Sequence, residues 1–265
     1  MIIIGEKING TLPDVREAVE KRDADFIAKL ATSQAEAGAD YIDINVGTGT
    51  GNEPESMQWA LEVVRNATGR PVALDSSDPA VLMKGLELCG ESKPFINSAS
   101  GELSKTECVL PLAAEYGCPI VALPMDESGI PDAPQARLEI CHRILEVAGR
   151  WGIPERDLFF DPLVIPVSTD HRQGRVTLDT LSIIKKELPG VRTIIGLSNI
   201  SFGLPKRHLL NRSLLSTAIS IGLDAALIDP TDAGLRATVF AAEAVGGNDD
   251  FCRRYLMAYR KGWLR

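Results

Sequence analysis

The sequence predicts an α/β protein folded as a single (β/α)8 barrel with an extra C-terminal helix. Three observations carry that prediction. Short apolar runs, each ending in polar residues, recur eight times along the chain; stretches with helical spacing alternate with them; and 265 residues suit one barrel of about 250. The competing architecture, a doubly wound open sheet, calls for Gly-x-Gly-x-x-Gly after the first strand, where Gly5-Glu6-Lys7-Ile8-Asn9-Gly10 stands instead. No Pro/Gly/Ser-rich or highly charged linker interrupts the chain, so residues 1–265 read as one domain.

The first strand is Ile2-Ile3-Ile4, with a polar end running through Glu6 to Gly10. A helix over about 25–37 has Ile27, Leu30 and Ala31 on one face, and Gly38 follows it as a stop. Tyr41 to Gly47 is the second strand, and Asp43 and Asn45, two apart, share a face. A helix opens at Glu53-Pro54 and ends before Gly69; Pro71 to Ser77 is the third strand. Asp78-Pro79 starts the next helix as N-cap and first-turn proline. The fourth strand ends in Phe95-Ile96-Asn97-Ser98, and a helix over about 104–116 closes at Gly117. Pro119 to Met125 is the fifth strand, and a helix over about 133–151 leads to the sixth, Leu158-Phe159-Phe160-Asp161-Pro162. A polar loop, 168–174, precedes a helix over about 176–188. The seventh strand, Arg192 to Gly196, stops abruptly in Leu197-Ser198-Asn199; a helix over 208–221 and an eighth strand, Ala225 to Asp229, follow. Helices over about 232–244 and 249–261 finish the chain.

Composition narrows the function classes. A net charge of −8 argues against general nucleic-acid binding, which needs a basic surface. The cluster Arg253, Arg254, Arg260, Lys261 and Arg265 is interleaved with Leu256, Met257 and Trp263, the pattern of an amphipathic helix with a solvated face. No run of about 18 apolar residues exists to span a membrane, and the first residues lack a signal-peptide pattern, so a cytoplasmic protein is expected. The five cysteines form no Cys-x-x-Cys and are expected as buried free thiols. The three histidines have no metal-ligand spacing, and no metal site is expected. Gly47-Thr48-Gly49-Thr50-Gly51 reads as a flexible loop rather than an anion cradle.

In a barrel the C-terminal strand ends converge on one mouth, so Glu6, Asn9, Asp43, Asn45, Asp75, Asn97, Asp161, Ser198 and Asn199 ring a single cavity. The set contains no strand-end lysine, cysteine or histidine, which removes Schiff-base and thiol chemistry as leading ideas. Carboxylates without histidine suit magnesium; alternating Asp and Asn equally suit a flat heterocycle edged with N–H donors and a carbonyl. Asn199, neutral and able both to donate and to accept, stands where barrel enzymes place their chemistry.

Six ordered motifs then carry a resemblance: Gly5-Glu6-Lys7-Ile8-Asn9, Ile42-Asp43-Ile44-Asn45-Val46-Gly47, Leu74-Asp75-Ser76, Ile96-Asn97-Ser98, Asp161-Pro162-Leu163 and the stretch Gly196 to Pro205. Together they resemble the pterin-binding methyltransferases, in particular methyltetrahydrofolate:corrinoid protein methyltransferases and the folate domain of cobalamin-dependent methionine synthase. The resemblance implies a pterin held by Asp75, Asn97 and Asp161, with Gly196, Ser198, Arg207, Glu6 and Asp43 lining the same pocket and Asn199 approaching the methyl-bearing N5. It implies tetrahydrofolate or methyltetrahydrofolate as substrate and a corrinoid (cobalamin) arriving on a separate corrinoid protein, since no cobalamin-binding Asp-x-His-x-x-Gly is present. It also implies a homodimer. Dihydropteroate synthase is the nearest alternative, but its Ser-Arg-Lys at the seventh strand end is replaced here by Ser198-Asn199-Ile200. A non-catalytic folate-binding subunit is the other.

Overall fold

The computed structural model describes residues 1–49, 51–90 and 92–264. Eight parallel strands pair in sequence order and close through β8 against β1. They are β1 Ile2–Asn9, β2 Tyr41–Asn45, β3 Val72–Asp75, β4 Phe95–Ser100, β5 Ile120–Leu123, β6 Leu158–Phe160, β7 Arg192–Gly196 and β8 Ala225–Ile228. The helices are α1 Pro13–Lys21, α2 Ala24–Glu36, α3 Glu53–Thr68, α4 Pro79–Cys89, α5 Leu103–Tyr116, α6 Pro134–Arg150, α7 Gln173–Glu187, α8 Arg207–Ile221, α9 Ala233–Val245 and α10 Arg253–Arg260. The barrel and the terminal helix expected from the sequence are both present.

Local chemistry explains the elements. The Asp23 and Asp78 carboxylates cap the first turns of α2 and α4, accepting from Phe26 N and Ala80 N. Gly38 leaves α2 at φ 99°, in the left-handed region glycine enters without steric cost. Helix α1 is the element the sequence did not suggest: its buried face is only Val15, Ala18 and Val19, and no side chain caps its start.

Because successive strand residues face opposite sides, one set points at the helices and the other into the barrel. The outward set joins the helices in two large apolar layers, one around Ile42, Ile44, Leu74, Ile96 and Ile120, the other around Ile195, Leu197, Ala226 and Ile228. The inward set forms a third cluster of Ile4, Ala73, Phe95, Val121, Phe159, Ile194 and Ala225. Edge-to-face contacts between Tyr41 and Phe95 (centroids 5.4 Å apart) and between Phe95 and Phe159 (4.6 Å) fill the lower barrel with rings.

One expectation needs correction. Of the five cysteines only Cys89, Cys118 and Cys141 are buried; Cys108 and Cys252 are exposed. The terminal helix has the expected solvated face: Arg254, Met257 and Ala258 turn inward, while Arg253, Arg260, Leu256 (47% exposed) and Tyr259 (71% exposed) face outward. Trp263, beyond the helix, does pack, stacking on Phe240 at 6.0 Å. Among the described residues no helix is long and apolar enough to cross a membrane.

Candidate active site

The inward positions change from apolar to polar at one level of the barrel. Strand β2 runs Tyr41, Asp43, Asn45; β3 runs Ala73, Asp75; β4 runs Phe95, Asn97; and β6 runs Phe159 with Asp161 directly beyond it. Strand register then sets neighbours side by side, Asn45 beside Asp75 and Asp75 beside Asn97. Asp161 stays in line because its backbone N–H still donates to Ala122 O at 3.0 Å.

Amides tie the acids together. Asn97 Nδ2 donates to Asp43 Oδ1 at 3.2 Å, and Asn45 Nδ2 donates to Asp75 Oδ2 at 2.9 Å, while Asn45 Oδ1 accepts from Gly47 N. Asp161 Oδ1 accepts from Leu163 N at 2.8 Å, and the Gly196 N–H also reaches its carboxylate. Across the mouth, Ser198 Oγ donates to Glu6 Oε1 at 2.6 Å. Asp43 is 1% exposed.

The apolar floor of rings strips water from these groups, and the charged form of a carboxylate suffers most. Burial pushes Glu6, Asp75 and Asp161 each up to about 6. Asp43 is raised well above its usual range, by burial first and then by the neighbouring Asp75 charge. Carboxylates with values near 6, such as Asp75 and Asp161, are mostly ionised at neutral pH and accept hydrogen bonds from an N–H-rich ligand edge.

The seventh strand supplies the rim. Leu197–Ser201 winds into a single 3₁₀ turn directly after Gly196. Arg207, at the start of α8, staples that turn, donating from Nη2 to Ser198 O at 2.6 Å and from Nε to Ser201 Oγ at 3.0 Å. Arg207 and Asn199 are exposed. A side-chain carbon built on Gly196 would lie 3.3 Å from Asn199 Nδ2, so the amide hangs over the strand end.

Each residue expected at the site therefore lies at this mouth: Glu6, Asp43, Asp75, Asn97, Asp161, Gly196, Ser198, Asn199 and Arg207. Asn9 stands in register beside Asn45, and its Oδ1 accepts from Thr11 N and Thr11 Oγ1, shaping the turn after β1. Two residues at the mouth go beyond the expected site set. Asp229, the next inward position after β8, pairs with Lys7 Nζ at 3.2 Å and raises Glu6. Glu53 accepts from Ser76 Oγ at 2.7 Å and raises Asp75. The alternation of strand β8 pointed to Asp229; nothing local singled out Glu53, which looks in sequence like a first-turn helix acid. The 168–174 loop reaches the same rim, Ser168 Oγ donating to Phe202 O at 2.7 Å. Of the Gly47 to Gly51 loop, Thr50 lies outside the described residues. Among the described residues no three His, Cys, Asp or Glu side chains converge as a metal-ligand set.

Comparison with known proteins adds an independent line. A sequence profile described as pterin binding enzyme matches residues 5–229. Over 265 residues, 99% of this chain and 97% of the relative, the sequence is 38% identical to a methylcorrinoid:tetrahydrofolate methyltransferase of Eubacterium limosum. It is 32% identical to a methionine synthase of Mycobacterium tuberculosis over 241 residues, 86% of this chain but 20% of that longer protein. A dihydropteroate synthase structure from Yersinia pestis superposes with a TM-score of 0.68 at 18% identity, over 93% of each chain, a likeness of fold alone.

Proposed function

The chain belongs to the pterin binding enzymes, and from that premise we propose that it transfers a methyl group between N5 of tetrahydrofolate and the cobalt of a corrinoid carried on a separate protein. The observation that carries this reading is the full-length likeness to a methylcorrinoid:tetrahydrofolate methyltransferase, combined with a mouth whose donor set fits a pterin. A 2-amino-4-oxo ring offers ring N–H and amino donors along one edge; Asp161 and Asp75 accept them, and Asn97 supplies a donor and an acceptor in the same wall. With only 5% aromatic residues in the chain, ring stacking contributes little beside these polar contacts.

In the forward sense the N5 lone pair forms the new N–C bond, the cobalt–carbon pair stays with the metal, and N5 gives up a proton. The corrinoid supplies the labile metal–carbon bond; the chain supplies orientation and a matched field. Asn199 is the residue whose amide meets N5 as its charge changes, donating without itself having to titrate. Ser198, fixed by Glu6 and Arg207, sets where that amide stands. The same contacts serve the reverse transfer, because the transition state is shared.

The protein is expected to act in the cytoplasm as a homodimer that docks a corrinoid protein over the mouth; light scattering on the purified protein checks the dimer. The activity is tested spectroscopically with free cobalamin, following conversion of methylcobalamin to cob(I)alamin on addition of tetrahydrofolate. An absorbance that does not change in either direction of transfer would remove the assignment.

A further inference from the structure

Helix α6 carries a side chain that no sequence motif marked. Arg137 is 0% exposed and is the largest fully buried side chain among the described residues, yet no carboxylate lies within ion-pair distance of it. Its guanidinium is spent on backbone: Nε donates to Pro131 O at 2.8 Å, and Nη1 donates to Pro162 O at 2.6 Å and to Leu163 O at 3.0 Å. Its Nη2 is buried with no hydrogen-bond partner. A buried cation without a contacting anion is costly to keep, and a core packed for stability alone favours an apolar side chain of that size.

Two of the three carbonyls it grips, those of Pro162 and Leu163, belong to the turn that aims Asp161. Leu163 has φ 64°, a left-handed conformation unfavourable for a leucine, and its N–H is the 2.8 Å donor to Asp161 Oδ1. Thr177 Oγ1 donates to the same Leu163 carbonyl at 3.2 Å. Arg137 and Thr177 thus hold, from α6 and α7, a strained residue whose N–H orients the carboxylate.

We infer that Arg137 is a positioning residue for pterin binding, clamping the Pro162–Leu163 turn so that Asp161 presents an ionised, correctly aimed carboxylate to the ligand. The inference rests on the reading of this mouth as a pterin site. The field of the guanidinium favours the charged form of Asp161 against the burial that opposes it. The other ionisable groups around the mouth are Glu6, Lys7, Asp43 and Asp75 on the strands, Asp229 just beyond β8, and Glu53 and Arg207 at the starts of α3 and α8, while Asp132, before α6, faces Arg137.

The test is calorimetric titration with methyltetrahydrofolate between pH 5 and 8 on wild type, Arg137→Met and Arg137→Lys. Loss of the charge in Arg137→Met is expected to move the midpoint of the pH-dependent affinity upward by about one unit, the usual influence of a neighbouring Arg on a carboxylate. Arg137→Lys keeps the charge and so the wild-type midpoint, but a point charge cannot span the carbonyls, and affinity at pH 7 is expected to fall several-fold. If Arg137→Met does not fold by circular dichroism, Arg137→Lys decides alone: weakened binding at an unmoved midpoint supports the clamp. Variants binding with wild-type midpoint and affinity, whatever their melting temperatures, overturn it. Wild-type protein that binds no methyltetrahydrofolate overturns instead the pterin reading on which it rests.

Discussion

Asn199 stands exposed at the rim, poised over Gly196 rather than packed into the core, so the role proposed for its amide can be removed without disturbing the fold. Asn199→Ala is expected to melt like wild type while kcat/KM falls by ~10², the scale of one pre-aimed donor; unchanged turnover would strip Asn199 of its role. Asp75 and Asp161 illustrate the opposite balance. Each is raised to about 6 by burial; in the role proposed for them they must be ionised to accept pterin N–H groups, so affinity for methyltetrahydrofolate should strengthen as pH rises from 5 to 7. Titration calorimetry showing a flat profile would contradict this. Asp75→Asn still accepts from Asn45 and no longer buries a charge; the ligand-free variant is expected to melt higher by about 2–4 °C for each kcal/mol recovered, while losing the pterin. Most of these residues were legible in sequence because a polar residue ending an apolar run has nowhere else to point in a barrel. Arg137 was not, since its partners are carbonyls 25 and 26 residues away, and carbonyls leave no trace in a sequence pattern.

At the scale of elements, the legible ones were those whose period is backed by a stop signal: α2 ends at Gly38 and α3 at Gly69, both at positive φ. Helix α1 was hard to read because it is only nine residues long: Val15, Ala18 and Val19 do stand at helical spacing after Pro13, but the stripe covers little more than one turn. The junctions between elements are tighter than either side suggests. A carbon added to Gly101, between β4 and α5, would meet Ile140 Cγ2 at 2.5 Å and Met125 O at 2.8 Å. Gly101→Ala therefore wedges the junction against α6 and the backbone beyond β5, and is expected to cost about 1–3 kcal/mol, the range for overpacking. A denaturant melt unchanged from wild type would show that the junction gives way freely.

For the molecule as a whole, strand count and closure followed from the sequence, whereas the extent of water exclusion inside the ring did not, because it depends on which rings stack on which. That exclusion sets a pH dependence of stability. The mouth carboxylates have folded values near 6, above their unfolded ones, so between about pH 4 and 6 the native state binds more protons than the unfolded chain, and stability falls as pH rises through that window. Below it the sign reverses, since Asp170 is held down to about 2 by Arg172 and Asp232 is lowered by its helix-cap and Arg212 contacts. Scanning calorimetry of the ligand-free protein is expected to give a higher melting temperature at pH 5 than at pH 7, with the difference smaller in Asp75→Asn. Equal melting temperatures at the two pH values would mean that the mouth is wetter than its floor implies.

The ring floor formed by Tyr41, Phe95 and Phe159 makes the barrel a blind shaft. On the proposed function, a shaft with one opening imposes an itinerary: a folate lying deeper would board before a corrinoid protein caps the entrance and disembark only after that visitor has left. Release of product would then wait on the parting of two macromolecules, and a fall in kcat as solvent viscosity is raised is the measurement that would show it.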